Sequence, residues 1–453
     1  MRFLFCFAFL FSISAHARIY INVGAPENIK KSIIALSEFR LKAETSDKKS
    51  LSIGEKMTER LNKNLKFSSY FNVLSSKAFI ENPNLLEPVP YLKNSKGFRW
   101  QNWKLSGADF LFFADYSISD ENLLIDVYFY NVNSQKRILK KNYKGAQFQS
   151  LKIIDKISND IVKKLSGREG IFETKIIAVR SMDSVKKEIF VMDWNGERKK
   201  RITYHRSIVL SPSWSTKGSQ IVYSAFMYNK KIKTRVAALF LYNFKTNKAK
   251  VLSAERGANL GSEFFPQDRE LLVTLGRGRG QLDIFKFNLR TFKLFPLTQG
   301  PRGVINVEPS IHNRNRRVAF SSDRNGKTMI YTMNSRGRDL KQLTYAGHYN
   351  SNPDWHPYKN EIVFSGMSQG RMDLFKISSQ GTGLKRLTSL RRDNGSWANC
   401  ESPSFSPDGR FVVFSSDISG TYQLYIMNLD DLSIERITFD RHNYKSPKWS
   451  PYL

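Results

Sequence analysis

One strand-and-turn pattern recurs through the second half of the chain and constrains its fold more than any other feature. In the clearest copy, residues 402–417 (SPSFSPDGRFVVFSSD), a Ser-Pro-Asp-Gly turn joins an aromatic-containing segment to an apolar strand. Related corners place an aromatic or apolar residue every 44 to 50 positions. These residues are Trp214, Phe264, Ile311, Trp355, Phe405 and, in a last partial copy, Trp449. That period is typical of a four-stranded propeller blade.

The two ends of this array complement each other. The segment before Trp214 contains the strand patterns IIAVR and EIFVMD and the closing KRIT, but it lacks the leading strand. The last residues, SPKWSPYL, supply such a strand with nothing after it. Counting the split unit once predicts an all-β six-bladed β-propeller over residues 173–453, closed by the C-terminal strand. Because closure pairs otherwise open edge strands, we expect deletion of residues 445–453 to destabilise the domain.

The repeated aromatic positions are interpreted as packing residues between neighbouring blades. A large ring at a fixed place in every repeat buries much area between adjacent sheets. Stacking on a carbohydrate is the alternative for one or two of them.

The N-terminal part of the chain shows different patterns. Residues 1–17, MRFLFCFAFLFSISAHA, combine one positive charge, a short apolar run and a small-residue ending, which predicts a secretory signal peptide cut before Arg18. A membrane anchor or a buried first strand is the alternative. Residues 18–165 mix strand patterns with two helical patterns and predict an α+β domain, with a loop at 80–97 and a linker at 166–172. No later stretch is apolar enough to span a membrane.

The formal charge of +32 is dispersed along the chain. Dispersed charge is typical of a solvated surface, and the functional alternative is attraction to anionic envelope material. No nucleic-acid-binding fold is recognisable, so no nucleic-acid partner is expected. Cys400 is the only cysteine outside the predicted signal peptide, which excludes an intrachain disulfide and favours a buried apolar role.

Enzyme signatures are missing from the sequence. It contains neither a GxSxG elbow nor HExxH spacing, and the glycine-rich LGRGRGQ connects two strands instead of opening a helix. We therefore predict no enzyme activity, no cofactor and no metal. Paired carboxylates could still meet in a propeller channel, which leaves open a propeller enzyme or lectin acting on anionic envelope glycans.

Several segments resemble the TolB family of periplasmic proteins. They are WKLSGAD at 103–109, DKISNDIVKKLSGREGIFETKIIAV at 155–179, SPSFSPDG and QLYIMN. The resemblance covers nearly all of the chain after the predicted signal peptide. It implies a non-catalytic periplasmic adaptor of the Tol-Pal system, with a role in outer-membrane integrity and constriction during cell division. We expect such an adaptor to be a monomer.

The resemblance implies two protein partners. TolA would receive an N-terminal arm made of Arg18, Ile19, Tyr20, Ile21, Asn22 and Val23, which suits β-augmentation. The alternative for this arm is a strand always docked in its own domain. The lipoprotein Pal would bind the mouth of the propeller, through polar residues that precede each repeated corner. These are His205, Arg206, Asn306, Glu308, His348, Asn350, Ser351, Asn399, Glu401, His442, Asn443, Tyr444 and Lys445. For any one of them, the alternative is satisfaction of turn backbone.

Overall fold

The computed structural model describes residues 31–42, 48–93, 95–255, 257–278 and 280–453, with the side chains of 261, 262, 277 and 278 left aside. The predicted signal peptide and the predicted TolA arm therefore lie outside the described residues. No helix in these ranges is both long and apolar enough to cross a membrane.

The N-terminal domain is a mixed β-sheet flanked by helices. Its strands are Ser32–Leu41 (β1), Phe71–Val73 (β2), Glu87–Pro90 (β3), Gly97–Phe98 (β4), Phe110–Ser119 (β5), Asn122–Asn131 (β6) and Lys136–Ala146 (β7). Its α-helices are Lys48–Phe67 (α1), Trp100–Leu105 (α2) and Ser150–Ser166 (α3), and its 3-10 helices are Ser76–Ala78, Pro83–Leu85 and Gln147–Gln149. The main sheet has the order β2-β1-β5-β6-β7, with β1 parallel to both of its neighbours.

The core of this domain lies between the sheet and two long helices. Leu61 and Leu65 of α1 lie four residues apart on one helical face, as do Ile157 and Ile161 of α3. All four are buried against the sheet in one cluster with Phe112. The apolar spacing in the sequence therefore places both helices on the same face of the sheet.

Two parts of this domain differ from the sequence prediction. The segment 80–97, predicted as a loop, contains a 3-10 turn and the small parallel pair β3-β4, and the Tyr130 hydroxyl donates a hydrogen bond to the carbonyl of Pro88 at 2.5 Å. Strand β7 was not predicted, because its sequence KRILKKNYKGA is dominated by charge. Only Leu139 and Tyr143 of β7 are buried.

The C-terminal domain is a ring of four-stranded sheets, and its strands follow in chain order. Blade 1 contains Lys175–Ser181 (β8), Lys187–Asp193 (β9) and Lys200–Arg201 (β10). Blade 2 contains Val209–Trp214 (β11), Gln220–Asn229 (β12), Thr234–Asn243 (β13) and Lys248–Ser253 (β14). Blade 3 contains Asn259–Phe264 (β15), Glu270–Gly278 (β16), Gln281–Asn288 (β17) and Leu294–Pro296 (β18).

The remaining strands complete the ring. Blade 4 contains Asn306–Ile311 (β19), Arg317–Ser322 (β20), Met329–Asn334 (β21) and Lys341–Gln342 (β22). Blade 5 contains Tyr349–Trp355 (β23), Glu361–Ser368 (β24), Arg371–Ser378 (β25) and Lys385–Arg386 (β26). Blade 6 contains Cys400–Phe405 (β27), Phe411–Ser416 (β28), Gln423–Asn428 (β29) and Ile434–Arg436 (β30), and the last strand is Tyr444–Trp449 (β31).

The last strand closes the ring. Strand β31 pairs antiparallel with β8, with Tyr444 opposite Arg180 and Trp449 opposite Ile176. Blade 1 therefore has the order β10-β9-β8-β31, and its inner strand comes from the end of the chain. The predicted six-bladed propeller, closed by the C-terminal strand, is confirmed over the described part of the chain.

The repeated aromatic residues lie between blades. All six repeated positions are at most 7% exposed. Trp214 Nε1 in blade 2 donates a hydrogen bond to the Lys448 carbonyl in blade 1 at 3.0 Å. The Trp355 ring of blade 5 lies 5.1 Å from the His312 ring of blade 4. These contacts support the interpretation of the aromatic positions as inter-blade packing residues.

Histidine caps the turn of blade 5, where the Ser-Pro-Asp-Gly pattern has decayed. In blade 6, Ser406 Oγ accepts a hydrogen bond from the Phe411 amide at 3.0 Å. His356 stands at the equivalent position, and its Nδ1 accepts the amides of Tyr358 and Lys359 at 3.0 and 2.9 Å. An imidazole nitrogen with a free lone pair thus accepts turn amides at the position that a hydroxyl occupies in blade 6, although the amides themselves differ.

The two domains meet on blades 1 and 6. Phe67 of α1 lies between Trp194 and Phe411, with ring centroids 4.5 and 4.8 Å away, and it stacks on Phe411. Arg410 Nη1 donates a hydrogen bond to the Ser68 carbonyl at 2.9 Å. These propeller residues lie in, or directly after, turns at the ends of the inner and third strands. We call this side the base face. The loops that lead into the inner strands form the opposite side, the mouth face.

Arg60 fixes the junction from within the helical layer. It donates two hydrogen bonds to Asp155 of α3, at 2.7 and 2.9 Å, and a third to Glu197 of blade 1 at 2.7 Å. Because the Arg60–Asp155 pair is buried, α1 and α3 are held together at the point where both approach the propeller.

Candidate functional site

Every inner strand of the propeller carries a β-bulge. The pairing register with the second strand of each blade shifts near the middle of the inner strand. In five blades the residue before the inner-strand proline has a positive φ between 49° and 55°. These residues are Ser211, Glu308, Asn352, Ser402 and Ser446. A bulge bends its strand and redirects the side chains that follow it, here at the wall of the central channel.

The residues just before the repeated aromatic positions form a ring around the channel. We call this set the channel ring, and its members are Ser213, Glu263, Ser310, Asp354, Ser404 and Lys448. The ring lines a cavity of about 350 Å³ on the base side. Three members, Ser213, Glu263 and Lys448, also line a cavity of about 260 Å³ on the mouth side. The ring therefore separates the two chambers of the channel.

The oxygen atoms of the channel ring hold adjacent blades together. Asp354 Oδ2 accepts the amide of Phe405 at 2.9 Å, and Ser404 Oγ accepts the amide of Trp449 at 3.3 Å. Ser310 Oγ accepts the amide of Trp355 at 3.4 Å. Each of these bonds links one inner strand to the next around the ring.

Charge in the channel ring is concentrated on three residues. Lys448 Nζ lies 2.5 Å from Asp354 Oδ1. Burial acts to lower the pKa of Lys448, but the carboxylates of Asp354 and Glu263 outweigh it, and that pKa is raised. Burial raises the pKa of Glu263 to about 7, against the opposing effect of Lys448. The ring thus holds one lysine between two acids, one of which binds a proton near neutral pH.

Glu308 lies above the channel ring, in the mouth-side chamber. Its carboxylate accepts hydrogen bonds from the Ser321 hydroxyl at 2.8 Å and from the backbone and side-chain amides of Asn352, each at 2.7 Å. These bonds tie blade 4 to blade 5. Of the carboxylates predicted at the mouth, Glu308 is therefore part of the channel wall.

Glu401 lies in a polar cluster on the mouth face. Its carboxylate accepts the Tyr422 hydroxyl at 2.7 Å and lies 3.2 Å from Lys445 Nζ, which also sits 3.7 Å from the centre of the Tyr422 ring. Burial and this hydrogen bond raise the pKa of Tyr422, so the phenol stays protonated and donates. We call Glu401, Tyr422 and Lys445 the mouth cluster. In this cluster a carboxylate, an ammonium group and an aromatic ring are in mutual contact.

The predicted Pal-binding residues separate into two groups by burial. Asn306, Asn350, Ser351 and Tyr444 are at most 3% exposed. Asn350 Nδ2, for example, donates to the Ala346 carbonyl at 3.0 Å. These four side chains therefore anchor the loops of the mouth face from within.

The other predicted residues are partly or fully open to solvent. They are His205, Arg206, Glu308, His348, Asn399, Glu401, His442, Asn443 and Lys445. His205 packs against Phe240, with ring centroids 4.6 Å apart, and its Nε2 is 2.9 Å from the Tyr223 hydroxyl. Asn399 donates from Nδ2 to Asp417 at 3.1 Å. The structure brings Glu401 and Lys445 into direct contact and spreads the rest around the ring.

Sequence reasoning missed the aromatic side chains of this face. Trp397 is 37% exposed and lies between the guanidinium groups of Arg371 and Arg391, at 3.3 and 3.7 Å from its ring centre. Tyr349, which is 40% exposed, directly precedes the predicted residue Asn350. The sequence signal that could have predicted Tyr349 and Trp397 as surface residues was their position next to the predicted polar loops.

Comparison with known proteins identifies the family to which the chain is similar. A family model described as the TolB amino-terminal domain matches residues 19–138, and one described as the TolB beta propeller domain matches residues 162–400. The Tol-Pal system protein TolB of Desulfosudis oleivorans is 28% identical over 211 residues, which are 47% of this chain and 45% of that protein. That of Desulfotalea psychrophila is 26% identical over 272 residues, 60% of this chain and 56% of that protein. The chain thus spans about half the length of the curated relatives it matches.

A solved structure shares the fold. The crystal structure of TolB from Acinetobacter baumannii superposes with a TM-score of 0.73 at 20% identity, covering 96% of this chain and 100% of that chain. The propeller model alone matches more than half of this chain. The chain belongs to the TolB family.

Proposed function

We propose that this protein is a non-catalytic periplasmic adaptor of the Tol-Pal system. It binds Pal at the mouth face of its propeller and TolA through the arm at residues 18–23, and so contributes to outer-membrane integrity and to constriction during division. The match of both TolB domain models, in chain order, carries this proposal. Its curated relatives are named as proteins of that system.

The geometry of the mouth face supports a protein partner. The N-terminal domain covers part of the base face, through contacts such as Arg410 to Ser68, whereas the mouth cluster lies on the opposite side. Half-exposed Tyr349 and Trp397 provide aromatic area beside charged groups, which is the composition of protein-binding surfaces.

Two of the three carboxylates in the channel ring and the mouth-side chamber are committed to structural bonds. Asp354 holds Lys448 and the Phe405 amide, and Glu308 holds Ser321 and Asn352. The remaining acid, Glu263, has no second uncommitted carboxylate beside it among the described channel residues. Glycoside hydrolysis uses a pair of carboxyl groups, so this arrangement favours an adaptor over a glycan-active enzyme.

A titrated pull-down with purified Pal tests the mouth face. We expect Glu401→Lys to weaken binding at least tenfold, about 1.4 kcal/mol, because it reverses the charge at the centre of the mouth cluster. Glu270→Lys is the matched control, since Glu270 is a similarly half-buried acid paired with Lys286 on the base face. Wild-type affinity of the Glu401→Lys variant would contradict the proposal, as would turnover of envelope glycans by the purified protein.

Deletion of residues 18–23 tests the arm separately. We expect this variant to lose TolA in co-purification and to keep Pal, because the arm and the mouth face supply different contacts. Retention of TolA by the shortened protein would show that another surface binds it.

A further inference from the structure

Blade 2 projects a two-stranded finger beyond the mouth face. Strands β12 and β13 stay paired over all ten residues from Gln220 to Asn229, whereas the inner strand β11 pairs only as far as Ala225. Residues 226–237 therefore extend past the ring, and we call them the blade 2 finger. Asn229 Nδ2 donates to the Ala254 carbonyl at 2.8 Å and ties the finger to the neighbouring loop.

The finger carries uncompensated positive charge. Lys230, Lys231, Lys233 and Arg235 are all exposed and lie within six consecutive residues. None of the four has a carboxylate within ion-pair distance among the residues that the structure describes. Four adjacent cations repel one another in isolation, so their arrangement favours an anionic counterpart.

Some cations in equivalent turns of other blades have carboxylate partners within the fold. In blade 1, Lys186 Nζ lies 3.1 Å from Asp183. In blade 5, Arg371 Nε lies 3.0 Å from the buried Asp373. The blade 2 finger differs from these turns because it carries four exposed cations, none of which has a carboxylate partner among the described residues.

Apolar side chains accompany this charge at the tip. Phe226, Tyr228 and Ile232 are 36%, 55% and 40% exposed. Tyr228 and Arg235 are directly opposed across the two strands, so ring and guanidinium share one face. A protruding element with aromatic, aliphatic and basic groups is suited to the interface of an anionic bilayer, where rings sit at headgroup level and cations meet lipid charge.

We propose that the blade 2 finger docks the protein on an anionic phospholipid bilayer. A finger of twelve residues is smaller than the roughly 20–30 residues that each partner contributes to a stable protein interface, whereas a bilayer surface accepts it without a matching groove. A soluble acidic polymer would neutralise the lysines but leave Phe226 and Ile232 in water. The combination of positive charge and apolar groups therefore favours a bilayer over a soluble acidic polymer.

Vesicle co-sedimentation of the purified protein tests this docking. We expect binding to vesicles of phosphatidylcholine mixed with phosphatidylglycerol, and weak binding to phosphatidylcholine alone. Neutralising Lys230, Lys231 and Lys233 to Gln should reduce partitioning by on the order of 100-fold, at roughly fivefold per cation. The matched control neutralises Lys245, Lys248 and Lys250, which are also exposed and lie on the base-side turn and outer strand of the same blade.

The apolar contribution is measured with a second variant. Tyr228→Ser combined with Ile232→Ser keeps the charge and should lower binding at both low and high salt, because insertion of apolar groups is not screened. Equal losses in the two triple variants, or unchanged binding of the Ser variant, would overturn the proposal. Retention on an acidic polysaccharide column without vesicle binding would overturn it in favour of a polymer partner.

Discussion

Lys448 of the closing strand β31 reaches Asp354 of blade 5 across the channel, with 2.5 Å between Nζ and Oδ1. Blade 6 lies between these two blades in the ring, so the ion pair ties the closing strand to blade 5 from inside the channel. Strand β31 is therefore held on two sides, by backbone pairing with β8 on one side and by this ion pair on the other.

Replacing Lys448 by Met should destabilise the propeller by roughly 2 to 4 kcal/mol, because Asp354 would keep a largely buried charge without its partner. Urea unfolding measures this change. Lys445→Met is the matched control in the same strand, since its more exposed pair with Glu401 should contribute at most about 1 kcal/mol. A loss for Lys448→Met no larger than that of the control would contradict the structural role of the ion pair.

Glu263 should make the protein less stable as pH rises from about 4.5 to about 7. Its folded pKa of about 7 lies above the value of an unfolded glutamate, so the folded state binds the extra proton, and that stabilisation is lost as pH passes through 7. Glu263→Gln should flatten this part of the profile and be more stable than the wild type at pH 8, by at most about 3 kcal/mol. Parallel stability profiles of the two proteins would be inconsistent with a protonated Glu263.

His356 should act in the opposite direction at acidic pH. Burial lowers its pKa to about 4, so below about pH 6.5 the unfolded chain binds a proton that the folded turn excludes. Stability should fall as pH drops from 6.5 towards 4, and His356→Asn should remove about 2 to 3 kcal/mol of that fall. His356→Ser, which copies Ser406 of blade 6, provides a second substitution with the same expected flattening. An unchanged acid limb in both variants would refute this role.

Deletion of residues 445–453 should lower the melting temperature sharply, because it removes most of β31 and the buried ring of Trp449, whose Nε1 donates to Thr174 at 2.8 Å. Deletion of residues 451–453 alone leaves β31 intact and should change the melting temperature far less. Calorimetry of both shortened proteins distinguishes loss of the strand from loss of the tail. Equal melting temperatures for the 445–453 deletion and the wild type would refute closure as a source of stability.

Much of the propeller follows from its sequence. The spacing of repeated positions such as Trp214, Trp355 and Trp449 predicted the number of blades, because a repeat period can be read directly from the sequence. The unpartnered strand pattern around Trp449 predicted how the ring closes, because the first repeat lacks that strand. The charge-rich β7 was missed, since only Leu139 and Tyr143 mark its buried face.

The contacts within the mouth face and the channel were harder to predict from the sequence. The polar residue Asn350 was predicted as a contact, but it is 3% exposed and satisfies loop backbone, which only its three-dimensional neighbours reveal. The Lys448–Asp354 pair joins residues 94 positions apart. No local pattern encodes such a pair, because the two side chains come together only when the blades have assembled into the ring.

The origin of the innermost strand of blade 1 also sets the order of events during folding. The sheet that contains Ile176 is complete only after the strand of Trp449, 273 positions later, has paired with it. Until then the nascent ring offers a bare hydrogen-bonding edge to every neighbouring chain, and contacts so distant in sequence form slowly. Any factor that covers this edge before β31 pairs with β8 should therefore reduce aggregation during folding.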